Sequence, residues 1–280
     1  MQTDRDIPVH RLLIAYLRKG FEVLDQQAQQ EIVAFLVQSQ NKNGGFTDRA
    51  GTPDLYYSLF GSWLAQATGQ TILLNNLKNF ILKQKQEKLG VVEQMALLLI
   101  QSDVEKNTQG ISGVKLLKLL FQQGKNIHLS YRFFLFTLVF DAVGKRKSFY
   151  YLLARIGLLF YKSRSDFPCS ILAALLFARK KLGLKYEKSK QQLLEYAIES
   201  GGFKAFQNVK NADMLSTGVT LFALSEIKTD LRLLKPANLG FIQKNFVEGA
   251  FISGDGDQTR DLEYTFYGLL ALGSLVKDEG

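Results

Sequence analysis

The chain has 280 residues, a net charge of +9, 46% hydrophobic and 22% charged residues, and a single cysteine, Cys169. That composition suits a globular protein with a sizeable core. It excludes an internal disulfide or an all-cysteine metal site, and no apolar run reaches the roughly 18 residues that span a bilayer.

From the N-terminus, "MQTDRDIPVHRLLIAYLRKG" carries acids early and lacks a small-residue cleavage site, so it reads as helix, not signal peptide. The expected compartment is cytoplasmic. Helical periodicity then predicts α-helices at 8–20, 26–40, 54–68, 70–86, 91–102, 109–123, 129–143, 145–162, 167–181, 187–199, 213–227, 231–246 and 261–276. No strand-like alternation persists, and the expected class is all-α.

Two kinds of helix alternate. "LLNNLKNFILKQKQ" and "SKQQLLEYAIE" are amphipathic, with lysine and glutamine on one side. "CSILAALLFA", "STGVTLFAL" and "YTFYGLLALGSL" are apolar nearly all round and rich in small residues, so they must be buried on every side. The buried kind starts near Asp54, Val91, Leu129, Asp166, Asp213 and Asp261, at intervals of roughly 36–48 residues, the range of helical repeats. About six buried helices, each followed by an amphipathic one, fit a closed ring better than an open stack, with inner helices forming a barrel. No linker interrupts the series. The expectation is one domain over 1–280, with 1–25 set apart as a candidate N-terminal extra helix.

One phrase recurs in the series: "NKNGGFTDRAGTPDLYYSLFGSWLAQATG" from Asn41, "ESGGFKAFQNVKNADMLSTGVTLFALSEI" from Glu199, and "GAFISGDGDQTRDLEYTFYGLLALGSL" from Gly249. Each joins a small-residue turn, a Phe, a polar loop and an Asp to an apolar helix. The turn suits a helix C-terminus, where Gly takes the left-handed conformation. The Asp is an N-cap candidate, accepting from free backbone amides. In a closed ring these helix starts share one mouth, so a cap is also a cavity residue. "SGDGDQTRD" has fragments of a calcium loop but lacks its full twelve-residue pattern, and reads as a glycine-rich turn.

The phrase resembles the repeat of the α/α-toroid superfamily, which holds the protein prenyltransferase β-subunits and the terpenoid cyclases. The resemblance implies a ring of roughly six inner and six outer helices around a central cavity, here lined by aromatics such as Tyr56, Tyr57, Trp63, Tyr131, Phe133, Tyr264 and Tyr267. In the prenyltransferases zinc sits between an Asp, a Cys two residues later and a His from the last inner helix. The matching positions are Asp213, Leu215 and Tyr264, while Arg260, Asp261 and Tyr267 are kept. One carboxylate beside a leucine and a phenol is no zinc site. No metal and no cofactor are expected.

The family's cationic diphosphate clamp is matched by Lys210, but Gln207 and Asp166 replace its other basic positions. His128 and Tyr131 stand where the family places a polar–x–x–Tyr pair. The cyclases protonate an alkene from a D-x-D-D motif, which is absent. Its nearest relatives begin at Asp54, Asp213 and Asp261, and only the last offers a carboxylate at the middle place, Glu263. Asp261 and Glu263, two residues apart, splay by about 200° around a helix.

Three readings stay open. The first is a protein that binds or transforms an isoprenoid-like ligand, which could be a diphosphate, in an aromatic cavity without zinc. Asp213, Asp261 and Glu263 would be its catalytic candidates, and Asp54, Tyr57, His128, Tyr131, Lys210, Arg260, Tyr264 and Tyr267 its ligand-binding ones. The second is a non-catalytic α/α-toroid module that binds a protein partner. The third, ranked last because the chain has 1 Trp where sugar sites use several, is a carbohydrate-active (α/α) barrel with a pair of carboxylates. The scattered lysines form neither a stripe nor a nucleic-acid motif.

Overall fold

The computed structural model describes residues 7–84, 89–104, 129–143, 147–161 and 167–276. Side chains are described from 135 to 142 and from 151 onward in the two helices of the middle stretch. The protein is mainly helical. Among the described residues the helices are α1 (Val9–Glu22), α2 (Gln26–Gln38), α3 (Leu55–Ala67), α4 (Thr71–Ile81), α5 (Val91–Val104), α6 (Leu129–Val143), α7 (Lys147–Phe160), α8 (Cys169–Lys181), α9 (Glu187–Leu194), α10 (Met214–Glu226), α11 (Lys235–Lys244) and α12 (Leu262–Leu275). The helix expected at 109–123 lies outside the described residues. None of the described helices is long and apolar enough to cross a membrane.

Both expected helix kinds are present. In α4 burial is confined to one stripe, Leu73, Leu77 and Ile81, one turn apart, as an amphipathic helix requires. In α12 every residue from Thr265 to Leu275 is buried, and α10 is buried over most of its length. The sequence reading missed four two-residue strands: β1 (Phe203–Lys204) with β2 (Ala212–Asp213), and β3 (Phe246–Val247) with β4 (Ala250–Phe251), both antiparallel. Such short ladders have too few residues to show alternation. α9 stops at Leu194, short of the expected 199, and just beyond it Ala197 bridges to Phe203.

The chain divides into two compact units, Met1–Ile14 with Leu36–Leu153, and Ala15–Phe35 with Ala154–Gly280. In the first, α3 packs on α4 and α5, and α5 on α6. The helix ends are fastened by buried acids. His10 Nε2 lies 2.9 Å from Asp103 Oδ1, both side chains under 5% exposed, and Trp63 Nε1 donates to Asp103 Oδ2 at 3.0 Å. The Val9 amide donates to Asp141 Oδ2, and the Tyr151 hydroxyl donates to Asp141 Oδ1. In the second unit α10 packs on α8 and α12. The backbones of α1 and α12 touch: a Cβ on Gly20 would lie 2.0 Å from the Leu269 carbonyl oxygen, and one on Gly273 1.9 Å from that of Tyr16. At the end of α10, Glu226 accepts from the Tyr16 hydroxyl at 2.9 Å and pairs with Lys180 at 2.8 Å.

The recurring phrase folds into one recurring latch. The backbone amides of Phe46, Phe203 and Phe251 donate to Ser58, Thr217 and Thr265, each one turn into the following helix. Thr217 and Thr265 pass the bond on to the Asp213 and Asp261 carbonyls, both at 2.7 Å. The turn glycines Gly44, Gly201 and Gly249 have φ of +93°, +103° and +79°. A Cβ there would stand 2.1, 2.0 and 2.2 Å from the carbonyl oxygens of Asn76, Ala237 and Glu31, so only glycine fits. Gly44 therefore docks on α4 and Gly201 on α11, the amphipathic helix that comes next in the chain. Gly249 docks on α2.

Replacing Thr265 by Val removes a buried hydroxyl that serves two backbone groups. The expected loss is about 1–3 kcal/mol, read from urea unfolding, with Thr265→Ser keeping most of the wild-type stability. A valine variant as stable as wild type would dismiss the latch as a stabilising element.

Candidate functional site

Each aspartate of the recurring phrase sits at the residue before its helix in extended backbone, with φ of −134° at Asp54, −128° at Asp213 and −148° at Asp261. That conformation aims one carboxylate oxygen at the first turn. Asp54 Oδ1 accepts from the Tyr57 amide at 2.8 Å, Asp213 Oδ1 from Ser216 at 2.8 Å, and Asp261 Oδ1 from Tyr264 at 2.7 Å. All three are side-chain N-caps. At α8 the cap position is Pro168, whose side chain makes no cap bond, and Asp166 lies outside the described residues.

What remains for chemistry is the second oxygen. Asp213 Oδ2 is buried and has no hydrogen-bond partner among the described residues. Burial pushes the Asp213 carboxyl above the ordinary range, opposed by the amide and hydroxyl of Ser216 and reinforced by repulsion from Asp255. Asp54 is raised too, first by burial, against the Tyr57 and Tyr56 amides and with smaller repulsions from Glu93 and Asp48. Asp261 is buried.

The other candidates are distributed as follows. In the first unit Tyr57 is half-buried and meets Tyr56 edge to face, 5.9 Å between centroids. Trp63 is wholly buried in the core. His128 and the side chain of Tyr131 lie outside the described residues. In the second unit Lys210 is exposed, and Arg260 reaches back to Glu248, 3.0 Å to its carbonyl oxygen and 2.9 Å to its carboxylate. Tyr267 is buried, edge to face with Phe266 and with its backbone against Gly218 of α10. Glu263 and Tyr264 are half-buried at the start of α12. The loop before Arg260 is a turn held by its own acids, with Asp255 accepting from Ser253 and Asp257 from the Thr259 amide.

Among the described residues the second unit has concavities that none of the candidates above lines. A groove of about 560 Å³ is bounded by α2, α11 and the end of α12, with Leu24, Leu239, Ile242 and Phe246 on its walls. A basic pocket of about 510 Å³ is lined by Arg179, Lys185, Tyr186, Glu187 and Lys188. The sequence reading missed both, and also the His10–Asp103–Trp63 cluster, because their members come from distant segments. The periodic placement of His10 with Leu13 and Leu17 on the buried side of α1 was the one visible signal.

Cys169 is buried, its sulfur 3.1 Å from the Thr220 hydroxyl, and burial raises its thiol to about 12. A thiol held so far from ionisation is inert as a nucleophile at neutral pH. No known family model matches the chain, and no match was found among curated proteins or among solved structures.

The raised Asp213 carboxyl has a definite sign in stability. The folded state holds its proton to higher pH than the unfolded state, so stability is fully present at low pH. It falls as pH rises from the ordinary carboxylate range through the raised folded value. Asp213→Asn keeps the capping oxygen and removes the titration. Subtracting its urea-unfolding profile from that of wild type should leave a component that declines with pH across the acid range. A component that rises with pH would refute the assignment.

Proposed function

We propose that this chain is a non-catalytic α/α-toroid module, a ring of paired helices used as a rigid binding scaffold for a protein partner. What carries this reading is the triple use of one latch. The residues that look like active-site candidates in the sequence are the Asp caps, and in all three repeats each is engaged by the same first-turn amide. Arg260 is committed to Glu248 and Tyr267 to the packing of α12 on α10. A side chain needed three times over for the same structural task requires no chemistry to account for it.

The ring itself is favoured by where the turn glycines dock. Two of them rest on the amphipathic helix that follows in the chain, whereas Gly249, in the last repeat, rests on α2, which precedes the first repeat. An open stack gives its last repeat no reason to seek the first amphipathic helix. Gly249→Ala would place a Cβ into the Glu31 carbonyl at a positive φ, and the expected cost is on the order of 1–3 kcal/mol, read by thermal and urea unfolding. A neutral alanine there would remove this support.

One observation favours a second reading, the isoprenoid ligand. Asp213 combines a capping oxygen with a buried, unsatisfied one and a raised carboxyl, which is how a proton donor in an apolar cavity is built. A thermal-shift panel of prenyl diphosphates of increasing length separates the two. A ligand at about a hundred times its dissociation constant adds about 2.7 kcal/mol, a shift that is readily seen. The scaffold reading expects none at any length. A length-dependent shift abolished by Asp213→Asn would replace it with the second.

A further inference from the structure

The end of α7 is built against the usual logic of a surface helix. Ile156, Leu159 and Phe160 are 46%, 59% and 82% exposed, and Tyr161 follows at 41%. Positions 156, 159 and 160 are three and four apart, so they form one apolar face. Arg155 beside them is also exposed.

This face is held in place by a basic neighbour. Arg179 at the end of α8 donates to the carbonyls of Leu158 at 3.0 Å and Tyr161 at 2.9 Å, closing the C-terminus of α7, and to that of Lys185 at 3.3 Å. Tyr161 stacks on Phe167 at 6.3 Å. The same Arg179 lines the basic pocket with Lys185 and Lys188, both exposed. Its one acid, Glu187, lies 3.9 Å from Lys190. The segment from Arg179 to Lys190 carries six basic residues and that single acid.

We propose that the last two turns of α7 and the adjoining basic pocket form a docking site for an anionic lipid surface. Ile156, Leu159 and Phe160 enter the apolar layer, while Arg155, Lys185 and Lys188 hold phosphate and carboxylate headgroups. An apolar face ending in aromatic residues and rimmed by cations is the pattern of a helix that lies in a membrane interface. The charge complementarity is direct, since a basic segment near an anionic leaflet gains on the order of 1 kcal/mol per Lys or Arg. A second copy of the chain fits less well. Two copies would bring their basic rims together, where like charges repel. The site is separate from the latch and from Asp213, so it stands or falls independently of the reading above.

Flotation of the full chain with phosphatidylcholine vesicles, with and without phosphatidylserine, tests this. The chain should float only with phosphatidylserine present and be released by high salt. Leu159→Ser with Phe160→Ser should lower vesicle partitioning roughly tenfold or more. Lys185→Gln with Lys188→Gln should lower it roughly tenfold to thirtyfold. All four side chains are exposed except part of Leu159, so far-UV circular dichroism should match wild type, and the lysine pair provides the reading if the serine pair misfolds. Absence of flotation on phosphatidylserine vesicles would overturn the proposal, as would lysine and serine variants that float like wild type. It would also be overturned by a dimer in sedimentation velocity that the serine pair dissolves, since the face would then be covered by a second copy.

Discussion

One hydroxyl, placed a single turn into a buried helix, sets the local geometry on which the rest of this protein depends. Ser58, Thr217 and Thr265 accept the amide of a phenylalanine twelve to fourteen residues earlier in the chain. That bond draws the preceding loop onto the start of the helix and leaves the following Asp in the extended conformation that capping requires. The phenylalanine ring is then buried against the helix. A Cβ on Gly61 would lie 2.4 Å from the Phe46 ring, and one on Gly268 2.3 Å from the Phe251 ring. A buried backbone amide left without a partner costs about 1–3 kcal/mol, so each latch solves a problem that an irregular buried loop would otherwise create.

Helix C-termini are organised by a different means. Asp103, Asp141 and Glu226 stand at or near the C-termini of α5, α6 and α10, where a negative charge gains nothing from the helix dipole. Each is compensated locally: Asp103 by His10 and the Trp63 indole, Asp141 by the Val9 amide and Tyr151, Glu226 by Tyr16 and Lys180. Buried pairs of this type add little net stability but are costly to break on one side only. Within the first unit they tie His10 and Val9 to α5 and α6, and within the second they tie Tyr16 to the end of α10. Burial and the neighbouring carboxylate both push the Tyr151 phenol upward, so it remains a donor.

This division of labour bears on function. Carboxylates at helix starts attract a catalytic interpretation because so many active sites use them, yet capping accounts for the position, conformation and one oxygen of all three. Asp213 alone keeps a buried oxygen in reserve. The lysines, which resemble an unremarkable solvated surface in the sequence, gather beside an apolar helix end that water does not favour. A helical fold by itself does not decide function, since one scaffold serves many purposes and a site must be argued from its own residues.

The sequence by itself determined the helical class, the buried character of α10 and α12 beside the amphipathic α4, and the three caps, because each rests on local rules. α8, expected to be buried on every side, instead exposes Ala174. Periodicity of 3.6 decides burial, and an Asp before an apolar run decides a helix start. Arg260 and Lys210 were legible as cations but not as paired or exposed, because a side chain's partner is a matter of distance in space. His10 and Asp103 meet across 93 positions (103 − 10), and Arg179 joins α7 to the pocket before α9 through backbone carbonyls that carry no sequence signature. The β ladders, the glycine contacts with the carbonyls of α4, α11 and α2, and the exposed end of α7 were likewise decided only by tertiary structure. Backbone-to-backbone approach leaves no periodic trace in a chain, and neither does the exposure of one helix end.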